Sequence, residues 1–154
     1  MQIALKTEYG AEDVDVVRRG LIAANRELSG RGAGYHPFVL HLVDPESGTP
    51  VGGAVGYGAF DWVYVELLYV PAELRGQGHG TRLMQAVEDF ARARNLVGIR
   101  LDTFDFQARP FYEKLGFTVF GTIEDHPRGG GRRYFMSKRL ADAGSSAPEN
   151  IDGA

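Results

Sequence analysis

Apolar residues recur with helical spacing in two long stretches of this chain. The first stretch, Ala11–Ser29, is predicted to be an amphipathic helix because about every third or fourth residue is apolar. Its apolar positions are Val14, Val17, Leu21, Ala24 and Leu28. Gly30 follows directly and is predicted to end the helix. A second helix is predicted over residues 80–95, where the same spacing is found at Leu83, Val87, Phe90 and Ala91.

Shorter apolar runs bounded by turn-forming residues predict strands. The predicted strands are residues 2–6, 38–43, 51–60, 62–70, 97–104, 117–123 and 133–138. Turn-rich segments at residues 44–50 and 127–131 join two pairs of them as hairpins, and a short helix is predicted over residues 108–115. Because strands and helices mix without strict alternation, we expect an α/β fold of the α+β type. It would be one mixed, largely antiparallel, twisted sheet of six to seven strands with helices on both faces.

The composition indicates one globular domain without disulfides or metal. With 154 residues and 44% hydrophobic content, the chain is long enough for a single core. We assign this domain to residues 1–140 and expect residues 141–154, which are small and polar, to be a disordered tail. The absence of cysteine excludes disulfides, thiolate catalysis and cysteine-bound zinc. None of the four histidines forms an i, i+4 pair, so no metal is expected.

Charge and hydropathy narrow the choice of partners. The formal net charge is −3 and no long basic run is present, so neither nucleic acid nor membrane is expected as a partner. No apolar run reaches the roughly 18 residues of a membrane-spanning helix. The first residues lack the charged and apolar blocks of a signal peptide. A cytoplasmic location is therefore expected.

The stretch of residues 67–81 combines a strand pattern, a glycine-rich loop and the start of a helix. Gly76, Gly78 and Gly80 alternate in the loop and would leave main-chain amides open to a ligand. The following helix adds its unpaired first-turn N–H groups and the positive end of its dipole. Together with the permanent charge of Arg75, this predicts a phosphate or pyrophosphate site. A tight connection without a ligand is the alternative.

Two familiar phosphate loops do not fit this spacing. A nucleoside-triphosphate loop ends in Lys followed by Ser or Thr, and this loop contains no Lys. The dinucleotide fingerprint is G-x-G-x-x-G, whereas the glycines here are spaced G-x-G-x-G. Instead, Val70-Pro71 followed by Arg75-x-x-Gly78-x-Gly80 resembles the acyl-coenzyme A pyrophosphate loop of the GNAT superfamily of N-acetyltransferases.

A second motif follows in the order of that family. Residues 108–117, Ala-x-x-Phe-Tyr-Glu-Lys-Leu-Gly-Phe, are similar to a later GNAT segment in which a Tyr on a short helix sits near the coenzyme sulfur. The resemblance implies a GNAT-like sheet and direct transfer of acetyl from acetyl-coenzyme A to a primary amine of a small molecule or peptide. Two alternatives stay open: a non-catalytic acyl-coenzyme A binding or sensing module, and a different phosphate binder such as a nucleotide-dependent enzyme.

The resemblance also implies which residues contact the coenzyme. Main-chain groups at Leu68 and Val70 would hold the pantetheine arm and polarise the acetyl carbonyl. The expected contact residues are Leu68, Tyr69, Val70, Arg75, Gly76, Gln77, Gly78, His79, Gly80, Thr81, Asp105, Ala108 and Tyr112. Asp105 stands where the family has Asn, three residues before Ala108, so it is open whether the usual pantetheine contact is kept.

Two residues are candidates for acid and base chemistry. Glu66 is the only carboxylate in the apolar run of residues 62–70, where partial burial would suit a general base. Its alternatives are to face water or to pair structurally with an Arg. Tyr112 is the candidate acid, because a phenol with an ordinary pKa near 10 is protonated at pH 7 and can donate to the leaving sulfur. Its alternative is core packing beside Phe111.

Arg128, Arg132 and Arg133 surround three glycines in the predicted final hairpin. If this hairpin flanks the acceptor, as it does in the family, the arginines could clamp a substrate carboxylate with paired hydrogen bonds. A solvated hairpin tip is the alternative. The sequence identifies neither the amine nor the acyl-chain preference, and it leaves a monomer and a homodimer both open.

Overall fold

The computed structural model describes residues 1–141, which fall into two compact units. The first unit is Met1–Gly34, and the second begins at Tyr35. Apart from Ala141, the segment predicted to be a disordered tail lies outside the described residues.

The first unit contains α1 (Ala11–Ser29), as the apolar spacing predicted. Asp13 in its first turn accepts a hydrogen bond from the Gly10 amide at 3.1 Å. At the other end, Gly30 adopts a left-handed φ of 69° and its amide bonds to the Arg26 carbonyl at 3.1 Å. This is the usual way for a glycine to end a helix, so the predicted stop is confirmed.

The strand predicted at residues 2–6 is wrong. No strand is present among residues 1–34. A strand needs a partner for its amides and carbonyls, and this short segment has none in the unit. Lys6 instead forms an ion pair with Asp13 of α1 at 2.5 Å.

The second unit is a six-stranded sheet in the order β1-β2-β3-β4-β6-β5. Its strands are β1 (His36–Val43), β2 (Pro50–Ala59), β3 (Trp62–Tyr69), β4 (Gly98–Phe104), β5 (Thr118–Glu124) and β6 (Arg132–Arg139). A 3₁₀ turn (Ala72–Leu74) and α2 (His79–Arg92) connect β3 to β4, and α3 (Arg109–Lys114) connects β4 to β5. All neighbouring strands are antiparallel except β3 and β4, which confirms the mixed, largely antiparallel sheet.

The core lies between α2 and one face of this sheet. Val63 of β3, Ile99 of β4 and Val87 of α2 have no exposed surface, as expected for alternate strand residues facing an amphipathic helix. Lys138 of β6 reaches across to α2 and forms an ion pair with Glu88. The side chains between the buried ones, including Tyr64, Arg100 and Asp102, are directed to the opposite face.

Glu66 occupies a β-bulge in β3. The residues on either side of it pair with consecutive residues of β2, so Glu66 has no partner there. A bulge reverses the alternation of side chains along its strand. Val65 faces the core before the bulge; after it, Leu68 packs against the core while Leu67 is 64% exposed.

β3 and β4 separate after a short stretch of parallel pairing. Three residue pairs join them, from Trp62 to Tyr64 on β3. β3 then continues to Tyr69 bonded to β2, and β4 continues to Phe104 bonded to β6. The two strands therefore enclose an opening, the β3–β4 cleft, at their carboxyl ends.

Gly53 provides a test of the sheet geometry. A β-carbon at this position would overlap the Leu40 carbonyl oxygen of β1. We expect Gly53→Ala to lower the free energy of unfolding by about 2 kcal/mol, because the two strands must shift to accept the methyl group. The matched control is Gly20→Ala in α1, where a β-carbon would meet no described atom within 4 Å beyond the main chain of the helix itself, and alanine favours the helix. Chemical denaturation followed by circular dichroism measures both, and an unchanged midpoint for Gly53→Ala would contradict the register.

Candidate active site

Successive main-chain amides at the start of α2 are free to bind an anion. Gly76 and Gly78 have φ angles of 74° and 81°, a conformation that glycine adopts without strain. Within the described chain, no amide of residues 76–81 donates a hydrogen bond. The first bonded amide is that of Arg82, which donates to the Gly78 carbonyl at 3.0 Å. Unpaired amides at the positive end of a helix dipole form an anion site.

Two cations border these amides. Nε of Arg75 donates to the Val70 carbonyl at 3.0 Å, which holds the exposed guanidinium beside the loop. Nη2 of Arg82, one turn into α2, lies 2.8 Å from Nδ1 of His79. The sequence analysis missed Arg82, although residues three apart on a helix are neighbours and His79 was already a candidate. Amides and two positive charges at one helix start suit a pyrophosphate.

The glycine-rich loop lies directly against the second motif. A β-carbon at Gly80 would stand 3.1 Å from the Phe111 ring, so the first turn of α2 packs closely on α3 at this glycine. The Phe111 ring in turn contacts that of Tyr112, with 5.1 Å between centroids. The structure therefore brings together two motifs that are well separated in the sequence.

Tyr112 is buried, and its hydroxyl remains open to a ligand. The residue is 8% exposed and its ring packs against Phe117. Burial raises the pKa of the Tyr112 phenol to about 12, and the negative charge of Asp102 adds to the shift. The hydroxyl has no hydrogen-bond partner among residues 1–141, yet no polar side-chain atom of these residues is both fully buried and unpartnered. The hydroxyl must therefore reach the surface, and it is protonated at neutral pH.

Glu66 is exposed, so the partial burial expected of this residue is not observed. Its carboxylate forms no hydrogen bond or ion pair with any described residue, which leaves it hydrated. It lies in the bulge two residues beyond Tyr64, the last residue of β3 that pairs with β4. Glu66 is thus located on the part of β3 that borders the cleft.

Leu68, Tyr69 and Val70 continue the same border of the cleft. Leu68 packs against the core, and Tyr69 is exposed. None of the three pairs with β4. Main-chain groups without a strand partner on one side are what an extended ligand requires, so the predicted role of this segment is compatible with its position.

Asp105 ties β4 to β6. Its carboxylate accepts hydrogen bonds from the amides of Phe106 at 2.9 Å and Arg132 at 3.1 Å, one at each oxygen. Its own amide donates to the Arg132 carbonyl at 2.9 Å. Ala108, the other predicted contact nearby, precedes α3, and its carbonyl accepts a hydrogen bond from the Phe111 amide at 2.9 Å. Coenzyme contacts of Asp105 and Ala108 stay predictions.

The sequence analysis also missed a charged network formed by Tyr64, Asp102 and Arg133. Tyr64 Oη donates to Asp102 Oδ1 at 2.9 Å, and Arg133 Nε donates to Asp102 Oδ2 at 2.7 Å. Burial, followed by the hydrogen bond to Asp102, raises the pKa of Tyr64. The sequence shows polar residues at alternate positions of two apolar strands. This pattern predicts which side chains share a face of one strand, but it does not reveal that the two strands are neighbours.

The arginines proposed as a substrate clamp are mostly engaged within the protein. Arg133 is paired with Asp102, and Arg132 with Glu124 at 2.8 Å. Arg128 is exposed and forms no ion pair with the described part of the chain. Of these three arginines, a substrate carboxylate would therefore find Arg128 uncommitted.

The described residues contain no arrangement for a metal ion. No group of three or more His, Cys, Asp or Glu side chains among them is placed to hold one. Within residues 1–141, no helix has both the length and the apolar character needed to cross a bilayer.

Comparison with known proteins matches this chain to acetyltransferases. The model of the acetyltransferase (GNAT) family matches residues 8–117. The chain is 35% identical over 123 residues to an acetyltransferase of Agrobacterium fabrum, covering 80% of this chain and 88% of that protein. It is 41% identical over 87 residues to blasticidin-S acetyltransferase of Streptomyces morookaense, covering 54% and 62% of the two chains. The crystal structure of an acetyltransferase from Agrobacterium tumefaciens superimposes with a TM-score of 0.82 and 31% identity, covering 91% of this chain and all of that one.

Gly78→Ala tests the row of unpaired main-chain amides of residues 76–81 as the coenzyme site. A left-handed alanine is strained by roughly 1–2 kcal/mol, and relief of this strain would turn the amides away from a ligand. We expect the Kd for coenzyme A, measured by isothermal titration calorimetry, to rise roughly tenfold. The matched control is Gly48→Ala in the loop between β1 and β2, which has a similar φ of 70° and equally open surroundings. Equal Kd values for the two variants would show that the loop does not bind the coenzyme.

The raised pKa of Tyr112 predicts a loss of stability in strong base. Below pH 10 the phenol is protonated in the folded and unfolded states alike. Between about pH 10 and pH 12 the unfolded state ionises first, so the free energy of unfolding falls as pH rises. We expect wild type to lose about 2 kcal/mol more than Tyr112→Phe between roughly pH 9.5 and 11.5. Urea unfolding of both proteins measures this, and parallel decreases would contradict the shift.

Proposed function

Since the chain belongs to the GNAT acetyltransferase family and is an acyltransferase, we propose that it moves an acetyl group directly from acetyl-coenzyme A to a primary amine. The acceptor is a small molecule or a peptide. Direct transfer requires an anion site for the coenzyme, a base for the amine and a group that stabilises the departing thiolate.

The observation that carries this proposal is the row of unpaired amides over residues 76–81, packed beside α3 through Gly80. Apart from each glycine and its two chain neighbours, no atom of the described residues lies within 4 Å of the positions where β-carbons would stand on Gly76 and Gly78, so a ligand can approach the main chain closely. Arg75 and Arg82 add positive charge at the same place. Acetyl-coenzyme A, when bound, supplies a diphosphate for this row and an activated acyl group for the transfer.

Glu66 is the proposed base. An amine with a pKa near 10.4 is mostly ammonium at pH 7, and exposing its lone pair costs roughly 4–5 kcal/mol. Glu66 has no partner among residues 1–141 and is exposed, so it can accept the proton directly or through a water molecule and pass it to solvent. Its location in the bulge supports this role, because bulges commonly redirect side chains beside active sites.

Tyr112 is proposed to stabilise the thiolate as a hydrogen-bond donor. As the new C–N bond forms and the C–S bond breaks, negative charge develops on sulfur. With a phenol pKa of about 12, complete proton transfer to a thiolate whose conjugate acid has a pKa near 8.5 would be uphill. A donated hydrogen bond stabilises the charge without that transfer, and the thiolate is afterwards protonated from solvent.

The remaining assignments concern the coenzyme arm and the partners. We assign the pantetheine contacts to the main chain at Leu68 and Val70, with Tyr69 and Ala108 beside them. A small-molecule acceptor is supported by the similarity to blasticidin-S acetyltransferase, because the name of that protein specifies a small-molecule substrate. We place the reaction in the cytoplasm, without nucleic acid or membrane as a partner, and a homodimer is compatible with it.

The test is release of free thiol from acetyl-coenzyme A with a panel of primary amines and peptides. We expect Tyr112→Phe and Glu66→Gln each to lower kcat at least about tenfold, a change of roughly 1.4 kcal/mol in the barrier, with the Kd for coenzyme A unchanged within about twofold. The control is Glu73→Gln, an exposed carboxylate of the 3₁₀ turn. Tight coenzyme binding with no thiol release for any amine would instead identify a binding or sensing module. An unchanged kcat in both variants would show that neither Tyr112 nor Glu66 takes part in the reaction.

A further inference from the structure

Side chains of three neighbouring strands meet at the base of the β3–β4 cleft. Tyr64 on β3 is in register with Arg100 in the last parallel pair, and Asp102 lies two residues further along β4. The Tyr64–Asp102 hydrogen bond therefore spans the two strands just where their main-chain pairing stops. Arg133 of β6 bonds to the other oxygen of Asp102, so the network crosses β3, β4 and β6.

The surroundings hold this network in place. The Asp102 side chain is 13% exposed and that of Arg133 is 33% exposed, so solvent screens the pair only partly. The Arg133 guanidinium lies 5.0 Å from the centroid of the Phe104 ring, and that of Arg100 lies 4.1 Å from the Tyr64 ring. Both oxygens of Asp102 are occupied by donors, so this carboxylate is not a free base. Charge-assisted bonds of this kind have narrow geometry.

We propose that Asp102, held by Tyr64 and Arg133, is a positioning residue for acetyl transfer that fixes the separation of β3 and β4 at the base of the cleft. The inference rests on the proposed function. Glu66 is two residues beyond Tyr64, a distance of about 7 Å along a strand, so movement of β3 at Tyr64 displaces the proposed base.

This role predicts an effect on turnover separate from one on coenzyme binding. The amides of residues 76–81 are held by the start of α2 and by its contact with α3. Among residues 1–141, no hydrogen bond or ion pair joins Tyr64, Asp102 or Arg133 to either helix. Loosening the network should therefore misplace the reacting groups and lower kcat while the coenzyme still binds. A purely structural role would reduce the folded fraction, and with it coenzyme binding capacity and turnover in the same proportion.

The first measurement compares Tyr64→Phe with Tyr57→Phe. Tyr64→Phe deletes the hydroxyl bound to Asp102 and keeps the ring under Arg100. Tyr57 lies on the same face with its ring 5.8 Å from that of Tyr64, and its hydroxyl bonds to no described residue. We expect Tyr64→Phe to lower kcat about tenfold with the Kd for coenzyme A within about twofold of wild type, and Tyr57→Phe to change neither. Equal kcat in the two variants would overturn the proposal.

Hydrogen exchange gives a second readout that does not depend on activity. We expect the amides of residues 65–69 to exchange faster in Tyr64→Phe than in wild type or Tyr57→Phe, because β2 is the one strand of the described chain that pairs with this part of β3. In the double variant Asp102→Asn with Tyr64→Phe, these amides should exchange little faster than in the more affected single variant, because the two residues act as a unit. Unaltered exchange in Tyr64→Phe would refute the role of the network. If the wild-type protein acetylated none of the amines, the proposed function would be refuted. The hydrogen-exchange comparison would still show whether the network holds β3 in place.

Discussion

The early end of pairing between β3 and β4 is the constraint on which the rest of the molecule depends. Every main-chain amide and carbonyl in a sheet needs a partner. After Tyr64, the main-chain groups of β3 that are directed away from β2 pair with no other strand of the part of the chain that the structure describes. The bulge at Glu66 belongs to the same feature, because a bulge increases the twist of its strand and so helps β3 to leave the plane of β4. The unpaired border produced in this way leads directly into the glycine-rich loop and the start of α2.

Such an opening in the middle of a sheet must be stabilised from outside. A main-chain hydrogen bond contributes about 1 kcal/mol net, so several unmade bonds are a substantial loss. β2 holds β3 on one side and β6 holds β4 on the other, while Val63, Ile99 and Val87 seal the base of the cleft against α2. On the opposite face, Asp102 links the separating strands through side chains. The cleft is therefore open at its mouth and fixed at its base.

What could be predicted from sequence depended on the range of the interactions. The six strands after residue 35 match their predicted bounds within two residues, because apolar runs and turn residues are local signals. α2 ends at Arg92, before its predicted end, where a turn with a left-handed Asn95 follows. The amide row was predictable from three glycines and the helix pattern. The bulge at Glu66 was not, because it depends on register with β2, and the Tyr64–Asp102 contact joins residues 38 apart.

Asp105 illustrates how a departure from a family pattern can have a structural cause. A carboxylate offers acceptors alone, whereas asparagine offers one acceptor and one donor group. The amides of Phe106 and Arg132 donate to different oxygens of Asp105, so an asparagine here would direct its own N–H groups at one of these donors. Aspartate is therefore the residue that fits the end of β4. Next to this anchor, Phe104 pairs in register with Arg133, and Arg133 bonds to Asp102. The corner of β4 and β6 is therefore continuous with the network that joins both strands to β3.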